Sequence, residues 1–183
     1  MDSRPLLLGH RGAREKGIRE NTIEAFDRAL AAGADGFEFD VRLSADGQAV
    51  ICHDPSSLGQ DIRTHSAHEL NLPLLGDVLE RYHTSAFLDI ELKVTGLEAM
   101  AAELLKQFSP ARGFVVSSFL PECLVHLHST ASSIPLGLIC ETRQQLGRWR
   151  DLPIEYVMPQ VRLIREGWVI EAHEEKKKSL PGR

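Results

Sequence analysis

Short apolar runs recur along the chain, each bounded by glycine, proline or charged residues. PLLLG at 5–9, GFEFDV at 36–41, AFLDIEL at 86–92, GFVVSS at 113–118, PLGLI at 135–139 and EYVM at 155–158 have the length of buried strands. Between them the apolar period lengthens to that of helices. Ile23, Phe26 and Leu30 form one stripe, and Asn21 with Glu24 makes an N-cap pair in front of it. Further helices are predicted near 74–82, 96–107, 121–130, 141–149 and 165–177. This alternation predicts an α/β fold with a parallel sheet and helices outside it.

The segment FEFDVRLSADGQAVICHD at 37–54 departs from that plan. Asp46-Gly47 is a two-residue hairpin signal, so the chain is expected to turn there and run back antiparallel. Centring the turn on that dipeptide sets Ser44 against Ala49, Arg42 against Ile51 and Asp40 against His53. The predicted β-hairpin at 37–53 thus brings a histidine beside a carboxylate.

Candidate chemistry gathers at strand ends. His10 closes the first strand, Glu38 and Asp40 share one face of the second, and Asp89, Glu91 and Lys93 share one face of the third. In parallel α/β folds, ligands bind at the carboxyl ends of the strands. Carboxylates on otherwise apolar strands are costly unless compensated, and a cation held by Glu38, Asp40 and Glu91 would compensate all three. An all-oxygen ligand set favours Mg²⁺ or Ca²⁺, with Mn²⁺ as a third option. His10 and His53 could then serve as general acid and general base, and Arg11 and Lys93 would suit a phosphate. Ser117, Ser118 and Phe119, at a later strand end, are further candidates for ligand contact. The remaining histidines (65, 68, 83, 126, 128 and 173) lack partner spacing, Trp149 and Trp168 read as packing residues, and Lys176–Lys178 read as a solvated helix end.

The net charge of −5 argues against nucleic acid or anionic membrane as the main partner, though not against a small anionic substrate. Three widely spaced cysteines without CxxC spacing predict reduced core thiols in a cytoplasmic protein. No segment has the roughly 20 apolar residues of a membrane span. A chain of 183 residues suits a single domain over 1–183.

GHRG, ENTIEAF, GFEFDVRLSADGQAVICHD and FLDIELK strongly resemble the glycerophosphodiester phosphodiesterases, and VVSSF and IREGWVIEAH resemble that family's later signatures. The resemblance implies a TIM-type (β/α) barrel of the phospholipase-C-like phosphodiesterase kind, with about six of eight βα units before the sequence given ends. It implies metal-dependent hydrolysis of glycerophosphodiesters to glycerol 3-phosphate and an alcohol. His10 and His53 would be the catalytic pair, Glu38, Asp40 and Glu91 the metal ligands, and Arg11 and Lys93 the phosphate contacts. The segment between His53 and LPLLGDVL is shorter than the insertion usual in the family. Six strands would leave the barrel open, so unpaired edges at 5–9 and 155–158, and self-association through them, are expected. Two other functions remain open from the residues: a phosphodiesterase of lysophospholipid head groups, and a weakly active or non-catalytic remnant of the barrel. A zinc amidohydrolase fits poorly, because His10-Arg11-Gly12 stands where an HxH pair is expected.

Overall fold

A computed structural model of the protein describes residues 4–179. The chain divides into two units, one running to Phe114 and the other starting at Val115. In the first unit the elements are β1 (Leu8–His10), α1 (Ile23–Ala31), β2 (Gly36–Leu43), β3 (Ala49–Ile51), β4 (Ser56–Ser57), β5 (Gln60–Asp61), α2 (Ala67–Leu70), α3 (Leu75–Tyr82), β6 (Phe87–Leu92) and α4 (Glu98–Gln107). Strand β2 is central, pairing in parallel with β1 on one side and β6 on the other.

Alternation along β2 divides its side chains between two layers. Phe37, Phe39 and Val41 are fully buried. The Phe37 ring stacks on Phe26 of α1 at 4.2 Å between centroids and meets Tyr82 of α3 edge-on at 4.9 Å. Glu38 and Asp40 take the opposite face. The register sets His10, Glu38 and Asp89 side by side, and Asp40 beside Glu91 two residues further on. Residues matched across parallel strands point the same way, so one face of three strands carries four carboxylates and a histidine.

The hairpin forms, but not in the expected register. Leu43 pairs with Ala49, Arg42 with Val50 and Val41 with Ile51. The loop spans three residues, Ala45 to Gly47, closed by Ser44 N–H to Gln48 O and Gly47 N–H to Ser44 O, both at 3.0 Å. Gly47 takes φ +74°, the left-handed position of a three-residue loop with a G1 bulge. Asp46 favours this loop by accepting from the Ser44 hydroxyl at 2.6 Å and from the Ala67 N–H at 2.9 Å. The register is therefore one residue off, and Cys52 rather than His53 meets Asp40, its N–H donating to Asp40 O at 2.9 Å.

Two other boundaries differ. The N-cap of α1 is Thr22, whose hydroxyl accepts from the Ala25 N–H at 3.2 Å, and Asn21 stands outside the helix at φ +57°. Strand β1 starts at Leu8 rather than at residue 5. Between β3 and α3 the chain builds a small core of its own from Val50, Cys52, Ile62, Ala67 and Leu70.

The second unit holds β7 (Phe114–Ser118, beginning one residue before the boundary), α5 (Pro121–Thr130), β8 (Leu136–Cys140), α6 (Arg143–Leu146), β9 (Tyr156–Pro159), α7 (Trp168–Glu174) and β10 (Lys178–Ser179). Its strands pair in parallel from β7 to β10 in sequence order. Helix α6 is shorter than expected and is followed by a 3-10 turn that buries Trp149. Helix α7 ends at Glu174 because Lys176 turns at φ +58°. The Lys176 and Lys177 N–H groups close the helix end by donating to His173 O and Ala172 O, both at 2.9 Å, whereas Lys178 opens β10. Pairing of Lys178 with Tyr156 and Ser179 with Val157 covers the edge of β9 that the sequence left open. Among the described residues no helix is long and apolar enough to cross a membrane, and all three cysteines are buried and unbridged by disulfides.

Candidate active site

The predicted catalytic, metal and phosphate residues all lie in the first unit, while Ser117 and Ser118 are buried on β7 of the second. After β1 the chain turns sharply through Arg11 at φ +56° and Gly12 at φ +86°. Gly12 is required twice over. Its φ is left-handed, and a Cβ there would come within 2.6 Å of the Ala25 backbone. This turn aims the Arg11 N–H at Glu38 Oε2, 3.1 Å away. The guanidinium lies 2.7 Å from Glu20 Oε1 and 3.3 Å from Asp40 Oδ2.

Glu38, Asp40 and Glu91 each present an oxygen within 4.8 Å of the other two, and all three are buried. Lys93 extends from the end of β6 to lie 2.6 Å from Glu91 Oε1 and 3.0 Å from Asp40 Oδ1. Asn21 holds the other side of Asp40, donating Nδ2–H to Oδ2 at 2.8 Å and accepting the Asp40 N–H at 3.3 Å. His10 Nε2 is buried without a hydrogen-bond partner, 3.9 Å from Glu38 Oε2.

His53 lies beyond the hairpin ladder. Its Nδ1 is 2.7 Å from Asp54 Oδ1, and its backbone carbonyl accepts from Arg42 Nε at 2.8 Å. Its side chain lines a cleft with Glu20, Asn21, Cys52 and Ser57. Asn21 is common to that cleft and to the carboxylate cluster.

The electrostatics follow from burial and crowding. Burial, reinforced by Asp40, Asp89 and Glu91, pushes the Glu38 carboxyl well above its usual range. Burial raises Glu91 to about 7 even though Lys93 opposes the shift. Burial would raise Asp40 too, but Lys93, Asn21 and Arg11 together hold it below its ordinary value. Four buried carboxylates thus meet two fixed cations, Arg11 and Lys93. A closely spaced, oxygen-only donor set with surplus negative charge fits a hard divalent cation. The sequence reading missed that Asn21 belongs to this set. The signal was the adjacent pair Asn21-Thr22, two residues able to cap a helix that needs only one.

Residues 10–71 match the model of the Glycerophosphoryl diester phosphodiesterase family. YhdW of Bacillus subtilis (strain 168), which carries a glycerophosphodiester phosphodiesterase name, is 33% identical over 77% of this chain and 67% of its own length. A glycerophosphodiester phosphodiesterase of Bacillus altitudinis is 30% identical over 73% of this chain and 65% of its own. The chain thus spans about two thirds of the length of these curated relatives. An Oleispira antarctica phosphodiesterase, solved with the product sn-glycerol-3-phosphate, superposes with a TM-score of 0.85 at 25% identity, covering 98% of this chain and 84% of that one. The parallel β/α units are accordingly those of a TIM-type barrel. Likeness in sequence and in structure agrees with the strand-end carboxylates and His10: the chain belongs to the glycerophosphodiester phosphodiesterase family, whose enzymes are phosphoric diester hydrolases.

Proposed function

We propose that this protein hydrolyses glycerophosphodiesters to glycerol 3-phosphate and an alcohol. The observation that carries the reading is the convergence of three buried carboxylates beside His10 at the strand ends. Glu38, Asp40 and Glu91 would hold one divalent cation, Mg²⁺, Ca²⁺ or Mn²⁺. Bound there, it would neutralise phosphate charge and polarise a phosphoryl oxygen. Arg11 and Lys93 contact the phosphate, and their charges draw an anionic substrate toward a protein of net negative charge. His10 and His53 divide the proton transfers. One imidazole accepts a proton from the attacking water as its oxygen bonds to phosphorus, and the other donates a proton to the leaving alkoxide as its P–O bond breaks. His53 is suited to exchange with solvent because its side chain is a third exposed. Three buried, unbridged thiols suit a reducing cytoplasm.

A panel of glycerophosphodiesters assayed with and without chelator tests the reading. Each of His10→Ala and His53→Ala should lower turnover roughly 10²–10⁴-fold while the fold is kept. Hydrolysis by both variants at the wild-type rate would refute the histidine assignment, and no hydrolysis of any diester with any of the three cations would refute the activity.

A further inference from the structure

Asn21 precedes a helix yet does not cap it. Thr22 performs that task, and Asn21 adopts φ +57°, a conformation that few residues other than glycine take readily. The side chain is buried, with 5% of the residue exposed, and both ends of its amide are used on one partner. Nδ2 donates to Asp40 Oδ2 and Oδ1 accepts the Asp40 N–H, so carboxylate and backbone of Asp40 are gripped together. The Asn21 N–H in turn donates to Arg11 O at 3.0 Å, fixing the loop that carries the grip to the end of β1. With Oδ2 held by Asn21 and flanked by the Arg11 guanidinium, Oδ1 is the oxygen left on the side of Lys93 and Glu91.

We infer that Asn21 is a positioning residue for the cation: it locks the rotation of the Asp40 carboxylate so that Oδ1 faces Glu38 and Glu91 as a single-oxygen ligand. The inference rests on the reading of Glu38, Asp40 and Glu91 as a cation site. Partners that orient a ligating carboxylate matter to affinity nearly as much as the ligand, and losing one costs about 10–100-fold.

Calorimetric titration of Mn²⁺ into the full chain, without substrate, reads this directly. Asn21→Gly removes the amide and keeps the left-handed turn free of strain; Asn21→Ser, too short to make both bonds, is the second variant. Both should bind Mn²⁺ roughly 10–100-fold more weakly than wild type. Thr22→Ala, which removes the helix cap, should lower the melting temperature and leave Mn²⁺ affinity unchanged. Asn21 variants that bind as tightly as wild type overturn the inference. So does a Thr22→Ala variant that loses as much affinity, since helix stability alone would then set binding. A wild type that binds no cation overturns the metal reading and this inference with it, whereas the first two results leave the metal reading intact.

Discussion

Glu91→Gln in cation-free protein should change how stability depends on pH. Burial lifts the Glu91 carboxyl from 4.5 to about 7. The folded protein therefore binds this proton more tightly than the unfolded chain, and the contribution is present in full below pH 4.5 and lost as pH rises through 7. At 1.36 kcal/mol per pKa unit the whole effect is about 3 kcal/mol, most of which falls between pH 5 and pH 8. Glutamine keeps the shape and removes the titration. It stands in for the neutral acid, so its contact with Lys93 matches that of protonated Glu91, and any cost of the exchange is nearly independent of pH. The informative quantity is thus the change in the difference between variant and wild type. Urea unfolding in chelator near pH 5 and near pH 8 should show the variant gaining about 2–3 kcal/mol on wild type at the higher pH. A difference that stays constant would refute the reading that burial raises this carboxyl's proton affinity in the folded protein.

Two further outcomes test the frame around the site. Phe26, fully buried and stacked on Phe37, should cost about 3–5 kcal/mol when changed to alanine, read by denaturant unfolding, and a loss under 1 kcal/mol would show that α1 does not anchor β2. Asp35 is held at about 2 by the Arg4 guanidinium and the Leu7 N–H, so the stability it contributes is present above its unfolded pKa and lost as pH falls from about 4 toward 2. Asp35→Asn should therefore melt lower than wild type near pH 7 and match it near pH 2, and equal melting temperatures at neutral pH would discount the pair.

Strand positions were legible because each buried run is short, apolar and bounded by turn residues. The carboxylate set was legible because Glu38, Asp40 and Glu91 interrupt those runs with charge that an apolar strand does not otherwise tolerate. What could not be read was anything decided by a contact distant in sequence. Asp46 is drawn into a three-residue loop by the Ala67 N–H, twenty-one positions away, and that contact moves the hairpin register by one. Asn21 was read as a cap because its side chain can cap; only the folded register of β2 supplies Asp40 as the stronger partner. Lys178 reads as helical by continuity with its lysine neighbours, yet β9 offers it a strand edge.

Strand β2 makes the aromatic packing and the carboxylate site one mechanical body. Phe37 and Phe39 face the helices while Glu38 and Asp40 face the site, on consecutive residues only about 3.3 Å apart along the backbone. A shift of the rings by a fraction of an ångström would therefore be felt by the carboxylate oxygens on the opposite face. Metal coordination tolerates about 0.2 Å in distance, and Mg²⁺ and Ca²⁺ demand oxygens at separations differing by more than that. If the triad holds a cation as proposed, the choice of ion would be written partly in residues that never approach it. A volume change at Phe26, Phe37 or Tyr82 would then act as a remote tuning screw on cation selectivity, and divergence in that ring stack would be a route by which one carboxylate triad comes to serve different ions.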